Sequence, residues 1–329
     1  MVLMPRDRMT PGIELQLDLS DADRALVRLG EALRASGYEF TTVTPATHAR
    51  VNARPENSEA KDLRDVFGWS RPFTQDVLPS EMLSMVRAAG ILAEENGKVR
   101  SALRVSSLQG ELFFHSAFPT TEADAVFFGP DTYRFARVIQ AGLKQRAAPI
   151  RSAIDIGCGA GPGGILVAKH APAARVLMTD INESALRLAH VNAALAAATN
   201  AIACRSDILS DIDGTFDLIV SNPPYLNDPL QRAYRHGGGD FGAELSLRIL
   251  DVALPRLAPA GTLILYTGTA IVGGRDLFRE SALPGLAAGD LAWTYEEVDP
   301  DVFGEELETE AYRAADRIAA VVLNVRKRS

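Results

Sequence analysis

The chain has 329 residues, 47% hydrophobic and 23% charged, with a net charge of −8, the balance of a soluble globular protein of one large or two ordinary domains. Its two cysteines, Cys158 and Cys204, form neither a disulfide framework nor a zinc spacing, and its five histidines are scattered, so a reduced, cytoplasmic, metal-free protein is expected. The apolar runs "GTLILYTG" and "RIAAVVLNV" are strand-sized, and "MVLMPRDRMTPG" shows no sustained apolar segment before a small-residue cleavage site, so neither a membrane span nor a secretory signal is expected.

The first element in the chain is a predicted helix in "SDADRALVRLGEALRASG", capped by Ser20 or Asp21, apolar at Ala22, Leu26, Leu29 and Leu33, and closed by Gly37. A second lies in "PSEMLSMVRAAG", with Ser80 as cap and Gly90 as stop. Short apolar runs follow, with an Asn96-Gly97 turn between them. Residues 1–125 are therefore expected to form a small α+β unit, winged-helix-like in its order, that caps the rest or selects its substrate. Residues 1–120 hold 14 Lys and Arg against 16 Asp and Glu. Without a basic excess, a protein or small-molecule partner is favoured over nucleic acid; the oligomeric state is left open.

From Ser152 strands alternate with helices: "SAIDIG", "GGILVAKHAP", "ARVLMTDI", then "NESALRLAHVNAALAAA" capped by Asn182, and on through "FDLIVSN" to "GTLILYTG". This alternation predicts an α/β, Rossmann-like, doubly wound and mostly parallel seven-stranded sheet over residues 126–329. "LAWTYEEVDP" and "RIAAVVLNVRKR" complete it as an antiparallel C-terminal edge. Between them, the acidic "EVDPDVFGEELETE" reads as a solvated loop.

Chemistry concentrates at the strand ends. In "DIGCGAGPGG", Gly157, Gly159 and Gly161 permit a sharp turn and close approach of a ligand to a helix N-terminus. The string also reads as a dinucleotide fingerprint, and NAD-dependent hydride transfer stands as one alternative. Asp180 ends the second strand, where α/β nucleotide folds bind ribose, and Asp207 ends the third. Each alone is also an ordinary helix cap or turn former. "SNPPY" then places Asn222, Pro223, Pro224 and Tyr225 directly after a buried strand. One reading is a plain strand stop; the other is a stiff platform of hydrogen-bond acceptors with an aromatic face.

Taken in order, "DIGCGAG", "TDI", "SDI" and "NPPY" resemble class I S-adenosylmethionine-dependent methyltransferases, over roughly residues 125–329, and within them the HemK/PrmC-like small-domain branch. The resemblance implies S-adenosyl-L-methionine as cofactor. It assigns Gly157, Gly159 and Gly161 to its methionine end, Asp155 to its amino group, Asp180 with Ile181 to its ribose, and Asp207 with Ile208 to its adenine. Upstream, "FFGPDTYRF" stands where relatives cover the methionine end, and Tyr133 is a candidate contact there or a core aromatic. Relatives carry a Pro-Arg-Pro-Glu-Thr type of string at that place, so the acceptor is left open. For catalysis the resemblance implies Asn222, also beside the cofactor, with Pro223 and Tyr225. The Asn222 side chain and Pro223 carbonyl would accept from a planar amide or exocyclic amine of a protein or nucleic acid, and Tyr225 would stack on it. Two further alternatives use the same cofactor: its cyclisation to azetidine-2-carboxylate with release of methylthioadenosine, and a sensing module without turnover.

Overall fold

In the computed structural model, which describes residues 19–95, 98–287 and 290–328, α1 (Asp21–Ala35) begins at Ser20. The Ser20 hydroxyl accepts from the Asp23 N–H, and Asp21 and Asp23 fill the first turn. Ala25, Leu26, Leu29 and Leu33 are buried along one face. Helices α2 (Pro45–Asn52), α3 (Leu63–Phe67) and α4 (Ser80–Ala88) follow. Ser80 is the first helical residue of α4 rather than its cap, which is Pro79. Two antiparallel hairpins come next: β1 (Leu92–Glu95) with β2 (Lys98–Ser101), and β3 (Leu103–Leu108) with β4 (Glu111–Ser116). The expected Asn96-Gly97 turn lies outside the described residues.

The alternating part comprises α5 (Pro130–Gln145), β5 (Ser152–Ile156), α6 (Pro162–His170), β6 (Arg175–Asp180), α7 (Glu183–Leu195), β7 (Ala201–Arg205), β8 (Phe216–Ser221), α8 (Glu244–Ala253) and β9 (Leu257–Val272). The short β10 (Arg275–Asp276), α9 (Leu277–Ala287), β11 (Leu291–Asp299) and β12 (Arg317–Lys327) complete it. The main strand order is β11-β12-β9-β8-β5-β6-β7, with β10 turning back on β9. Strands β5 to β9 are mutually parallel, whereas β12 runs antiparallel between β9 and β11. The antiparallel edge expected at the C-terminus is thus a pair, with β11 outermost.

Successive residues of each strand feed opposite cores, as the pleat requires. Ala153, Met178, Val220 and Tyr266 face α5 to α7, while Ile154, Leu177, Ile219 and Leu265 face α8 and α9. The first of these cores continues without a break into the N-terminal helices and hairpins. Gly30 on α1 leaves no room for a side chain, because a Cβ there would lie 2.4 Å from the Leu195 side chain on α7. The fully buried Asn192 of α7 joins three segments: its Oδ1 accepts from Phe114 N–H, and its Nδ2 donates to the carbonyls of Phe114 and Ala160. One amide side chain thereby fixes β4 to the glycine loop after β5.

Strand β5 lies between β6 and β8. The chain winds outward from it in both directions, so the crossovers leave a crevice beyond its C-terminal end, the position where open α/β sheets bind ligands.

Candidate active site

That crevice holds a cavity of about 180 Å³, lined among others by Asp155, Gly157, Gly159, Asp180, Ile181, Asp207, Ile208, Asn222, Pro223 and Tyr225. The fold therefore gathers ten of the twelve residues singled out in the sequence. Gly161 and Tyr133 do not line it. Gly161 caps α6 at φ +85°, and a Cβ there would press on Ala189 and on Met178 Sδ at 3.1 Å, so it serves the packing of α6 against α7 and β6. Tyr133 points into the N-terminal part, where its hydroxyl accepts from the Thr42 N–H at 3.0 Å. Its ring stands edge-on to Phe128.

At the floor, Asp155 is 1% exposed. Its Oδ2 accepts from Gly164 N–H at 2.7 Å, in the first turn of α6, while Oδ1 is buried with no partner among the described residues. Burial, reinforced by the nearby Asp180, pushes its carboxyl up to about 7. A lone buried carboxylate oxygen costs free energy unless a donor meets it, and an ammonium group fits that need. Gly157 and Gly159, at φ +68° and +53°, carry the backbone past it.

At the end of β6, Asp180 accepts from Gly159 N–H and Asn182 N–H, each at 2.9 Å. Burial raises its carboxyl above the ordinary range. Each oxygen keeps a lone pair for a hydroxyl. Asn182 caps α7 by accepting from Ser184 N–H, as its position in the sequence implied. Beyond β7, Asp207 is largely exposed with Arg248 Nη2 at 3.6 Å. Ile208 adopts φ +55°, a conformation strained for a β-branched residue and typical of binding sites. Ile181 leaves half of its apolar side chain exposed, and Ile249 of α8 also borders the cavity. These apolar walls and the carboxylates fit an adenosine bearing an amino-acid chain.

The loop after β8 is stiff for identifiable reasons. Ser221 Oγ donates to the Ile156 carbonyl at 2.7 Å, which ties the ends of β8 and β5. The Tyr225 phenol donates to Asp131, which also accepts from the Tyr266 hydroxyl at 2.8 Å and from Arg134 Nη1 at 2.9 Å. Two prolines restrict the backbone between these anchors. Among the described residues, neither the Asn222 carboxamide nor the Pro223 carbonyl has an intramolecular hydrogen-bond partner. Both are left free beside the cavity.

The expected stacking role of Tyr225 needs correction. The residue is 6% exposed, and its ring lies flat on Gly268, where a Cβ would sit 2.1 Å from a ring carbon. Phe303 meets it edge-on at 5.8 Å. With its hydroxyl taken by Asp131 and its ring covered, Tyr225 anchors the platform. The acidic stretch 297–310 is likewise not simply solvated: Glu306 is buried and pairs with Arg235, and Asp299 pairs with Arg134. His236 is partly buried, with Nδ1 accepting from Asp228 N–H at 3.2 Å. Asp131, Tyr234, Arg235 and Phe303 border the cavity without having been singled out. Only Asp131 had a local signal, its place in "FFGPDTYRF".

A family model described as "Methyltransferase small domain" matches residues 135–272. The release factor glutamine methyltransferase of Deinococcus radiodurans is 32% identical over 222 residues, covering 65% of this chain and 77% of that protein. The ribosomal RNA small subunit methyltransferase C of Haemophilus influenzae is 44% identical over 82 residues, which is 25% of this chain and 24% of that protein. This chain thus matches about a quarter of the length of that relative. A T. thermophilus 16S rRNA N2 G1207 methyltransferase solved with AdoMet and guanosine shares 17% identity at a TM-score of 0.46, over 78% of this chain and 64% of that one. The chain belongs to the HemK/PrmC-like, small-domain branch of the class I S-adenosylmethionine-dependent methyltransferases. No helix among the described residues is long and apolar enough to cross a membrane, and no group of three or more His, Cys, Asp or Glu there could hold a metal ion.

Proposed function

We propose that this protein is an N-methyltransferase that uses S-adenosyl-L-methionine to methylate a planar amide or exocyclic amine nitrogen. The observation that carries the reading is the pair of free acceptors, Asn222 and Pro223, on a braced loop beside a cavity with an unpartnered carboxylate oxygen. Asp155 would hold the cofactor's ammonium group, Asp180 its ribose hydroxyls, and Asp207 with Ile181 and Ile208 its adenine. When bound, the cofactor supplies a methyl carbon activated by positively charged sulfur.

The protein's own task is to make a poor nucleophile usable. An amide or aromatic amine delocalises its nitrogen lone pair into the neighbouring π system. Acceptors aimed at both N–H groups favour the pyramidal nitrogen, whose lone pair is localised, and so stabilise the transition state more than the ground state. Bracing by Ser221 and by the Tyr225–Asp131 contact means the acceptors need little reorganisation. Positive charge gathering on nitrogen acidifies its proton, so no strong base is needed next to it.

Residues 126–329 would hold the cofactor and residues 1–125 would select the acceptor. Support for the amide reading comes from the glutamine methyltransferase relative; the net charge of −8 weighs against a polyanionic acceptor. Nothing in the site favours the cyclising or sensing readings, since a second cavity sharing Phe127, Asp131, Tyr234, Arg235 and Phe303 with the first has no use in either. Incubation with methyl-labelled cofactor and cell extract should label an acceptor and release S-adenosylhomocysteine, and Asn222→Ala should slow both by on the order of 10²–10³. Methylthioadenosine from the cofactor alone would overturn the proposal.

A further inference from the structure

A second cavity, of about 430 Å³, lies between the N-terminal part, the start of α5 and the loops 232–235 and 301–305, and it shares Phe127, Asp131, Tyr234, Arg235 and Phe303 with the cofactor cavity. Four arginines border it. Three are neutralised: Arg134 by Asp131 and Asp299, Arg232 by Asp228, and Arg235 by Glu306. Arg104, on β3, is the exception. It is 5% exposed, its Nε donates to the Ser116 carbonyl at 3.1 Å, and among the described residues its two terminal nitrogens have no acceptor and no carboxylate partner.

A buried guanidinium without a counter-charge is costly, and native proteins retain one mainly where something else completes it. Here the charged neighbours offer no compensation. The groups that act on Arg104 most strongly are the phenols of Tyr38 and Tyr133, and burial draws the guanidinium down to about 10. The nearby His48 and His115 are held below their ordinary range by burial and by Arg104 itself. The cavity end of this side chain is a planar fork of donors, suited to bidentate contact with an oxyanion.

We propose that Arg104 anchors the anionic group, a carboxylate or a phosphate, of a small acceptor whose nitrogen reaches Asn222 through the shared wall of the two cavities. This rests on the methyltransferase reading above and names the acceptor class for that site. The far rim carries Asp301 and Glu305, both exposed, which disfavours a chain of phosphates and favours a single anionic group.

The test uses the full chain and three probes in calorimetric titrations at constant ionic strength: inorganic phosphate, acetate and sinefungin. Wild type should bind phosphate or acetate saturably, and the better of the two identifies the acceptor's anionic group. Arg104→Gln should weaken that anion at least tenfold while sinefungin affinity stays unchanged. Should Arg104→Gln fail to fold, Val43→Trp, at another residue lining the same cavity, must abolish anion binding with sinefungin binding retained. Absence of anion binding by wild type, or its survival in folded Arg104→Gln (in Val43→Trp where Arg104→Gln does not fold), overturns the proposal. Failure of wild type to bind sinefungin would instead overturn the methyltransferase reading on which it stands.

Discussion

Asp155→Asn separates the stability of the site from its use. In the folded protein the Asp155 carboxyl titrates at about 7, up from 3.8, chiefly because it is buried. A raised carboxyl binds its proton more tightly in the folded state than in the unfolded one. Its contribution is therefore greatest below pH 3.8 and is lost as pH rises through that window to about 7. The whole interval corresponds to about 4 kcal/mol, of which about 3 kcal/mol falls between pH 5 and 8. The carboxamide that replaces this group in the variant cannot ionise, so urea unfolding at the two pH values should show wild type losing about 3 kcal/mol more than the variant. Taking the difference between the two proteins cancels every other titrating group. The amide nitrogen of the variant meets no acceptor where Oδ1 now stands alone, which offsets part of the gain at pH 8 by about 1–3 kcal/mol. The variant should nonetheless bind sinefungin at least ~10-fold more weakly, because a charge-assisted hydrogen bond is lost. Parallel pH profiles for the two proteins would refute the reasoning, whatever the binding result.

Three further substitutions probe the platform and its supports. Asn222→Ala should lower kcat by on the order of 10²–10³, with S-adenosylhomocysteine affinity changed far less; a kcat within a few-fold of wild type removes Asn222 from the chemistry. Tyr225→Phe withdraws the phenol from the buried Asp131 and should cost about 1–3 kcal/mol, read as a lower melting temperature with reduced kcat. An unchanged melting temperature would mean that the loop is braced elsewhere. Asn192→Ala cuts three hydrogen bonds between β4, α7 and the glycine loop, so a loss of about 3 kcal/mol or more is expected in denaturant unfolding, accompanied by weaker sinefungin binding. Retention of both stability and affinity would show the glycine loop to be independent of the N-terminal part.

The features legible in the sequence are those set by a few adjacent residues. Gly157 and Gly159 mark a left-handed turn, Asn182 marks a helix start, and Asp155, Asp180 and Asp207 mark strand ends. Each follows from local backbone geometry, and parallel pairing then brings them together. What escaped depends on partners far along the chain. Tyr225 meets Asp131 across 94 residues, and Phe114 meets Asn192 across 78. The flat bed that turns Tyr225 from a stacking face into an anchor is Gly268, a residue with no side chain to betray it. Gly161 illustrates the opposite error: its φ of +85° was foreseeable, but whether a glycine serves a ligand or a neighbouring helix depends on what lies behind it, here Ala189 and Met178.

The same division separates the cofactor from the acceptor. The cofactor's side of the crevice is built from contiguous strand-end motifs, so chains sharing those motifs share its chemistry. The proposed acceptor side is assembled from segments near residues 42–45, 104, 118–120, 127–134, 232–235 and 301–305, which meet where the N-terminal part shares a core with α7 and the sheet. A substitution near residues 42–45, 104 or 118–120, which border the second cavity and not the first, would reshape it without touching Asp155, Asp180 or the glycine turn. Acceptor choice can thus change while methyl-donor binding is preserved, which is the arrangement expected of a family whose relatives include both glutamine and ribosomal RNA methyltransferases. On that logic Arg104, buried in the N-terminal part and bordering the second cavity but not the first, is the position where removing a charge should change acceptor binding and leave the cofactor's untouched.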